Sequence, residues 1–218
     1  MKTALIIGST GLIGSELLNL LLESPHYAKV ITFVKRDTGI KHPKLTQHII
    51  DFDKPESYKE LVVGDDFFCT IGTTIKKAGS KEAFRKVDFE YPRQFAAFAL
   101  LHKVKQFLII SSLSADAKSG NFYLKTKGEI QDFLKDCNFE SVAVLQPSLL
   151  LGNRTEFRLG EKVGAFFMKT LSFLFLGNLK KYKPIEGETV AKALLKIAQK
   201  NDTGFKIYES DAIQEIGN

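Results

Sequence analysis

The stretch ALIIGSTGLIGSELLNLLLES at residues 4–24 constrains the fold of this chain more than any other segment. Its first apolar residues predict a buried strand, and the leucines that follow recur at the spacing of an amphipathic helix. Gly8, Gly11 and Gly14 lie between the two, where the chain must turn sharply. A strand that leads directly into a helix opens a β-α-β unit, so the beginning of the chain predicts an α/β fold.

The same alternation continues along the chain. Strands are predicted near 2–7, 29–34, 46–50, 66–71, 106–111, 141–146 and 205–208, and helices near 11–24, 55–62, 80–102, 122–137, 160–176 and 188–200, the third interrupted or kinked at Pro92. The nearly continuous apolar runs VITFV, FLIIS and VAVLQ are typical of parallel strands covered by helices on both faces. With no linker or repeat, residues 1–218 are predicted to form one doubly wound, Rossmann-type domain.

Composition narrows the classes of partner. The net charge of +6 favours anionic ligands such as phosphates, but the lysines are scattered and the densest cluster is only KKYK at 180–183, so nucleic-acid binding is not expected. The histidines show no metal-ligand spacing, and no metal site is predicted. Cys69 and Cys137 lack a CxxC motif and lie in apolar surroundings, Cys69 in the expected core. Together with the lack of a secretory signal, this predicts reduced thiols and a cytoplasmic location.

The apolar run VGAFFMKTLSFLFLG at 163–177 is too short to span a bilayer and is interrupted by Lys169. A buried or pocket-lining helix is the favoured interpretation. A helix on a membrane surface and one packed against a second copy of the chain are the alternatives, so the oligomeric state stays open.

The glycine turn also predicts a ligand. It lets the backbone approach a pyrophosphate, and the helix that follows directs N–H groups at its charge. The spacing is GxxGxxG without a Walker GK[ST] motif, which favours a dinucleotide over a nucleoside triphosphate. A turn that binds nothing is the alternative.

The ends of the next strands bear on which dinucleotide it is. An acidic residue after the second strand suits ribose hydroxyls and a basic one suits a 2′-phosphate. The sequence FVKRD offers Lys35 and Arg36 before an aspartate, so NADP is favoured over NAD, unless both are ordinary solvated charges. Asp51 and Phe52 close the third strand, and CTIGTT at 69–74 closes the fourth. Both strand ends are predicted to border the cofactor, although turn chemistry explains the same residues.

The helix predicted at 122–137 has an unusual buried face. Helical periodicity aligns Tyr123 and Lys127 with Ile130 and Leu134, which directs a tyrosine and a lysine toward the core one turn apart. An ammonium beside a phenol lowers the pKa of the phenol toward the range in which it exchanges protons with a carbonyl or alcohol oxygen. The alternative is that both side chains extend along the helix edge with their polar ends in solvent.

The strand before this helix ends in FLIISSLSAD. Together, GSTGLIG, IISS and YLKTK resemble the short-chain dehydrogenase/reductase superfamily, and QPSLLLGNRTEFRLGE with YKPIEGETVAKALLKIA resembles its atypical branch, which contains the Tat-interacting oxidoreductases and their bacterial relatives. The resemblance implies hydride transfer between NADP(H) and a carbonyl or alcohol. Tyr123 would be the acid/base, Lys127 would lower its pKa and bind the nicotinamide ribose, and Ser112 would polarise the substrate oxygen, with Ser111 and Ser114 as alternatives.

The resemblance further implies that Pro147, Ser148 and Leu149 pack against the nicotinamide. Arg154, Arg158 and Glu161 follow, either as a rim for an anionic substrate or as solvated charges. Little chain remains for a substrate region, so a small carbonyl or alcohol substrate is expected. The predicted catalytic residues are Ser112, Tyr123 and Lys127, and the predicted cofactor-binding residues are Gly8, Ser9, Thr10, Gly11, Leu12, Ile13, Gly14, Lys35, Arg36, Asp51, Phe52, Thr70, Ile71, Gly72, Thr73, Ser111, Tyr123, Lys127, Pro147, Ser148 and Leu149.

A second function fits the same resemblance. Some members of the atypical branch are regarded mainly as binding partners, which implies an NADP(H)-binding regulatory or interaction protein with little or no turnover. The intact serine–tyrosine–lysine set favours chemistry, and the small substrate region favours sensing.

Overall fold

The computed structural model describes residues 1–151, 177–200 and 202–218. Its strands are β1 (Lys2–Ile7), β2 (Tyr27–Val34), β3 (Leu45–Ile49), β4 (Asp66–Cys69), β5 (Gln106–Ile110), β6 (Ser141–Gln146), β7 (Leu150–Leu151), β8 (Ile185–Glu186) and β9 (Gly204–Glu209). Its helices are α1 (Leu12–Glu23), α2 (Ile75–Ala78), α3 (Lys81–Arg85), α4 (Tyr91–Leu101), α5 (Phe122–Lys135), α6 (Gly187–Gln199) and α7 (Ser210–Gly217).

Seven strands form one parallel sheet in the order β3-β2-β1-β4-β5-β6-β9, and β7 pairs with β8 separately. One face of the sheet is covered by an aromatic core that includes Phe67, Phe95 and Phe107, and the other by an aliphatic core that includes Leu17 and Leu194. The central strands β4, β5 and β6 are buried along their whole length, as parallel strands between two helical layers must be. The predicted doubly wound parallel sheet is therefore confirmed.

The strand order determines where a ligand can bind. The chain builds β1, β2 and β3 outward on one side and then returns to place β4 next to β1. At this reversal the connections after β1 and β4 leave in opposite directions, which opens a crevice at the carboxyl ends of the strands. Both the glycine turn and the CTIGTT segment follow strands at that position.

Two predicted helices differ from the structure. The segment predicted as a helix at 55–62 forms two 3₁₀ turns, Pro55–Ser57 and Lys59–Leu61, because so short a segment gains too little from α-helical propagation. The helix predicted at 80–102 is divided into α3, a π-helical turn at Lys86–Glu90, and α4. The ring of Pro92 excludes the carbonyl four residues earlier, which belongs to Asp88, and the wider π turn accommodates it.

The elements that the sequence did not predict are short: α2, α7, β7 and β8. The predicted helix at 160–176 lies outside the described residues, as do Arg154, Arg158 and Glu161. Within the three described ranges, no helix is long and apolar enough to cross a membrane.

Candidate functional site

The glycine turn brings β1, β4 and α1 closer together than side chains would permit. Gly8 has φ +85°, and a Cβ there would lie 2.5 Å from the Ile71 nitrogen. A Cβ on Gly14 would lie 2.0 Å from the Gly8 carbonyl oxygen. The Thr70 hydroxyl completes the contact by donating to the Ile7 carbonyl at 2.8 Å. The glycines therefore join the turns after β1 and β4 into one wall.

The start of α1 meets the requirements of an anion site. Gly11 caps the helix without a side-chain acceptor, so no side chain occupies the N–H groups of the first turn. Ser9 is 3% exposed, and its hydroxyl has no hydrogen-bond partner among the described residues. A buried hydroxyl without a partner is costly, and a bound pyrophosphate would supply an acceptor. These residues fit the dinucleotide that the sequence predicts.

We expect Gly14→Ala to destabilise the protein by about 1–3 kcal/mol, because the added methyl group forces α1 away from the Gly8 carbonyl. Urea denaturation measures this effect. Gly11→Ala is the matched control, since its Cβ would lie 3.3 Å from the same oxygen at an exposed position. Equal stability losses in the two variants would contradict the close approach of α1 to β1.

A cavity of about 280 Å³ opens beside the ends of β2 and β3. Its lining residues are Lys35, Ile50, Asp51, Phe52, Asp53 and Tyr91. The Lys35 ammonium lies 5.7 Å from the centre of the Phe52 ring and 5.9 Å from that of Tyr91. Lys35 and Arg36 are both exposed, and neither forms an ion pair with another described residue. The end of β2 thus presents two cations beside a cavity that is lined by two aromatic rings and by the carboxylates Asp51 and Asp53.

Lys127 is buried in the middle of the site. Only 6% of its side chain is exposed, and its Nζ lies 2.8 Å from Asp88 Oδ1 and donates to the Ile110 carbonyl at 3.4 Å. Burial by itself lowers the pKa of this lysine, but the neighbouring charges, led by Asp88 and then Tyr123, raise it above the ordinary value. Lys127 is therefore an ammonium at neutral pH.

Tyr123 lies one turn earlier on α5 and is half-buried. Its ring packs on Phe84 with the ring centres 5.5 Å apart. The helix starts here because the Asn121 side chain accepts hydrogen bonds from the Tyr123 and Leu124 amides at 2.9 and 3.2 Å. The phenol is near enough to the buried Lys127 ammonium to interact with its charge, and part of the tyrosine remains accessible to a substrate.

The three candidate serines have different surroundings. Ser111 is buried and accepts a hydrogen bond from Gln131 at 2.5 Å, and Gln131 in turn accepts one from Gln146 at 3.0 Å. Ser114 is exposed and has φ +64°. Ser112 is half-buried, and the one hydrogen bond of its hydroxyl among the described residues is a long contact of 3.5 Å with the Leu113 carbonyl. Its hydroxyl is the one that is both sheltered and available.

Asp88 is the site residue that the sequence analysis missed. Its side chain is fully buried, pairs with Lys127, and accepts from the Thr73 amide at 2.9 Å. The sequence does contain a pattern that could have identified Asp88. Helical spacing aligns it with Phe84, Tyr91 and Phe95, so one face of the predicted helix carries an aspartate among aromatic residues. The argument that singled out Lys127 applies equally to Asp88.

Pro147, Ser148 and Leu149, which are predicted to pack against the nicotinamide, also make contacts within the framework. The Ser148 hydroxyl donates to the Lys183 carbonyl and accepts from Ser210 at 3.0 Å, while the Pro147 carbonyl accepts from the Leu113 amide at 3.1 Å. Leu149 bonds through its carbonyl to Ile185 at 3.0 Å, beside β8. Cys69 is fully buried, as expected, and burial raises the pKa of its thiol to about 12.

No family model matches the chain. Curated relatives do: the protein FMP52, mitochondrial, of Candida albicans is 30% identical over 205 residues, which cover 91% of this chain and 89% of the relative. The chain belongs to the atypical short-chain dehydrogenase/reductase family. HTATIP2 of Rattus norvegicus, another member, is 29% identical over 221 residues, covering 99% of this chain and 89% of the relative.

Solved structures support the fold of this family member. The Bordetella bronchiseptica enzyme WbmH, in complex with NAD⁺, superimposes with a TM-score of 0.71 at 17% identity, covering 100% of this chain and 79% of WbmH. The oxidoreductase ylbE of Lactococcus lactis gives a TM-score of 0.67 at 17% identity, covering 99% of this chain and 94% of ylbE. The chain therefore has the fold of NAD-dependent oxidoreductases and epimerases.

The predicted cytoplasmic location is wrong. The FMP52 relatives from Candida albicans and Coccidioides immitis are both named as mitochondrial, which points to mitochondria. The prediction depended on the two cysteines and on the lack of a secretory signal. Both distinguish a reducing compartment from the secretory route, but neither separates one reducing compartment from another.

Proposed function

We propose that this protein binds NADP(H) and catalyses hydride transfer between the nicotinamide and a small carbonyl or alcohol substrate. The observation that carries the proposal is a buried ammonium, Lys127, one helical turn from a partly accessible phenol, Tyr123, at the sheet edge that also bears the glycine turn. Even a paired buried lysine, as Lys127 is with Asp88, often stabilises a fold no more than an apolar side chain would, so its placement beside a phenol needs an explanation other than packing. Acid–base chemistry on a substrate oxygen provides one.

The residues present fit the proposed cofactor along its length. The uncapped start of α1 and the Ser9 hydroxyl would hold the pyrophosphate. The cavity beside Lys35, Phe52 and Tyr91 would hold the adenosine end. When bound, the nicotinamide supplies or accepts the hydride.

Side chains of the protein would transfer the proton to and from the substrate oxygen. In the reductive direction the Tyr123 hydroxyl donates its proton to the substrate oxygen, and the Ser112 hydroxyl donates a second hydrogen bond to the same atom. The Lys127 ammonium stabilises the phenolate that remains. In the oxidative direction the same phenolate accepts the proton of the alcohol.

A small substrate is proposed from what the described residues beyond Lys127 build. Beyond Lys127, the described residues form β6 to β9, α6 and α7, and these complete the sheet and its helical layers. WbmH, whose fold is the same, extends beyond the part that this chain matches.

The preference for NADP over NAD is proposed from the cations at the end of β2. We expect the purified protein to bind NADPH about tenfold or more tightly than NADH, because Lys35 and Arg36 would pair with the 2′-phosphate. Lys35→Ala/Arg36→Ala should abolish this difference, as measured by fluorescence titration with both cofactors.

The matched control is Lys105→Ala/Lys135→Ala. It removes two exposed lysines near the amino-terminal ends of β5 and β6, away from the candidate site. This variant should keep the NADPH preference. Equal affinities for the two cofactors in the wild-type protein would refute the assignment to NADP, and binding of neither would refute the proposed function.

A further inference from the structure

Asp88 connects two parts of the site that the sequence treats separately. Its Oδ2 accepts from the Thr73 amide at 2.9 Å, and its Oδ1 lies 2.8 Å from the Lys127 ammonium. The first partner belongs to the turn after β4 and the second to α5. The Asp88 side chain is fully buried, so water does not substitute for either contact.

We propose that Asp88 is a positioning residue that couples the cofactor wall at Gly72 and Thr73 to the ammonium of Lys127. This inference rests on the proposed function and deepens it. Asp88 itself touches neither substrate nor cofactor in this scheme; it fixes the position and charge of the lysine that does.

The chemistry of the two contacts explains why an aspartate is needed. Both partners, an amide N–H and an ammonium, are donors. A carboxylate accepts at both oxygens, whereas an asparagine amide accepts at one and directs N–H groups from the other. Asparagine at this position would therefore face one donor with another, even though its shape is nearly the same.

The backbone around Asp88 suits this role. Asp88 lies in the π turn between α3 and α4, shortly before α4 begins at Tyr91. A Cβ on Gly72 would lie 3.4 Å from Asp88 Oδ1 and 3.8 Å from Lys127 Nζ, so the cofactor wall passes immediately over the pair. A change in the wall would be transmitted to the ammonium through one carboxylate.

The charged and titratable groups near Lys127 identify Asp88 as its counter-charge. Among the described residues, the groups that act on its charge are Asp88 from the π turn, Tyr123 from its own helix and Cys69 from β4. Cys69 is a neutral thiol at physiological pH because burial raises its pKa to about 12. Asp88 is thus the anion that balances the ammonium.

Asp88→Asn tests the proposal, with Asp66→Asn as the matched control. Asp66 is also a fully buried carboxylate with two donors, the Tyr27 hydroxyl at 2.7 Å and the Lys2 ammonium at 3.1 Å. It lies at the first residue of β4, at the amino-terminal ends of the strands and away from the candidate site. NADPH affinity is measured by fluorescence titration, and the Lys127 ammonium by NMR of protein labelled with ¹⁵N-lysine. Sucrose in the buffer keeps a destabilised variant folded.

We expect Asp88→Asn to weaken NADPH binding by about tenfold or more and to shift or broaden the Lys127 ammonium signal, because the lysine loses its fixed partner. Asp66→Asn should lower thermal stability and leave both readouts unchanged. Adding Lys127→Met to Asp88→Asn should cost little further affinity, since an unpositioned ammonium contributes little.

Wild-type affinity in Asp88→Asn, or an equal loss of affinity in Asp66→Asn, would overturn the positioning role. A double variant that binds far more weakly than Asp88→Asn would also overturn it, because Lys127 would then act without Asp88. A wild-type protein that binds neither NADPH nor NADH is a different result, and it refutes the proposed function itself.

Discussion

Tyr123→Phe is expected to lower the kcat of carbonyl reduction by about 100-fold or more, because it removes the group that transfers the proton. The phenylalanine ring can keep the packing on Phe84, whose ring centre lies 5.5 Å from that of Tyr123. Binding of NADPH should therefore change by no more than about twofold, and the loss should fall on kcat rather than on cofactor affinity. Steady-state kinetics on a panel of small aldehydes and ketones, combined with NADPH titration, measures both quantities.

Tyr208→Phe is the control for this substitution. Tyr208 lies on β9, and its hydroxyl makes a long contact of 3.4 Å with Asp202, away from the glycine turn. Its removal should leave turnover unchanged. Full activity in Tyr123→Phe would contradict the acid–base role. A wild-type protein that binds NADPH but reduces no member of the panel would favour the alternative, a cofactor-dependent regulatory protein.

Lys127→Met is expected to destabilise the protein by about 3–5 kcal/mol, because it leaves Asp88 as a buried carboxylate without its cation. For a chain of this size, that corresponds to a fall in Tm of roughly 6–20 °C. The side chain of Asp88 is 0% exposed and that of Lys127 is 6% exposed, so neither charge can be solvated when its partner is removed. Urea denaturation and thermal unfolding measure the loss.

The double variant Asp88→Asn/Lys127→Met separates this penalty from the loss of packing. With no buried charge left, it should recover most of the stability that the single lysine substitution loses. Lys192→Met is the control, since Lys192 pairs with Glu188 in solvent on α6 and such exposed pairs contribute little. A loss below about 1 kcal/mol in Lys127→Met would show that the Asp88 carboxylate is not held as an ion in the core.

The ion pair between Asp88 and Lys127 also changes the electrostatics expected at Tyr123. The sequence argument treats Lys127 as a lone ammonium beside Tyr123. In the structure its charge is balanced by a carboxylate 2.8 Å away, so the net charge next to the phenol is close to zero. The field at the phenol is correspondingly weaker than a lone lysine would produce. The position of Asp88 therefore matters as much to the chemistry as that of Lys127.

Much of the fold was predictable because its strands are distinct in composition. The inner strands of the parallel sheet are mostly apolar runs bounded by turn residues. The predicted limits of β1–β6 and β9 differ from the observed ones by about two residues at most. The predictions failed where local propensity is weak. The 3₁₀ turns at 55–61 and the short helix α2 carry no apolar period long enough to distinguish a helix from a turn.

The candidate site was predictable only in part. The glycine turn and the Tyr123–Lys127 stripe are local patterns, and the sequence predicts both. Three serines follow β5 within four positions, and no local rule separates them. The separation depends on Gln131 and Gln146, which engage Ser111 and leave the Ser112 hydroxyl available.

By itself, the sequence determined the strand–turn–helix beginning, the parallel sheet and the buried face of α5, because each follows from periodicity and glycine spacing within a short stretch of chain. The tertiary structure alone decided which groups meet. Asp88, Thr73 and Lys127 belong to three different elements, and they come together because the strand order places β4 beside β5 and the π turn directs Asp88 at α5. A contact between distant elements depends on the arrangement of the whole sheet, which no single segment encodes.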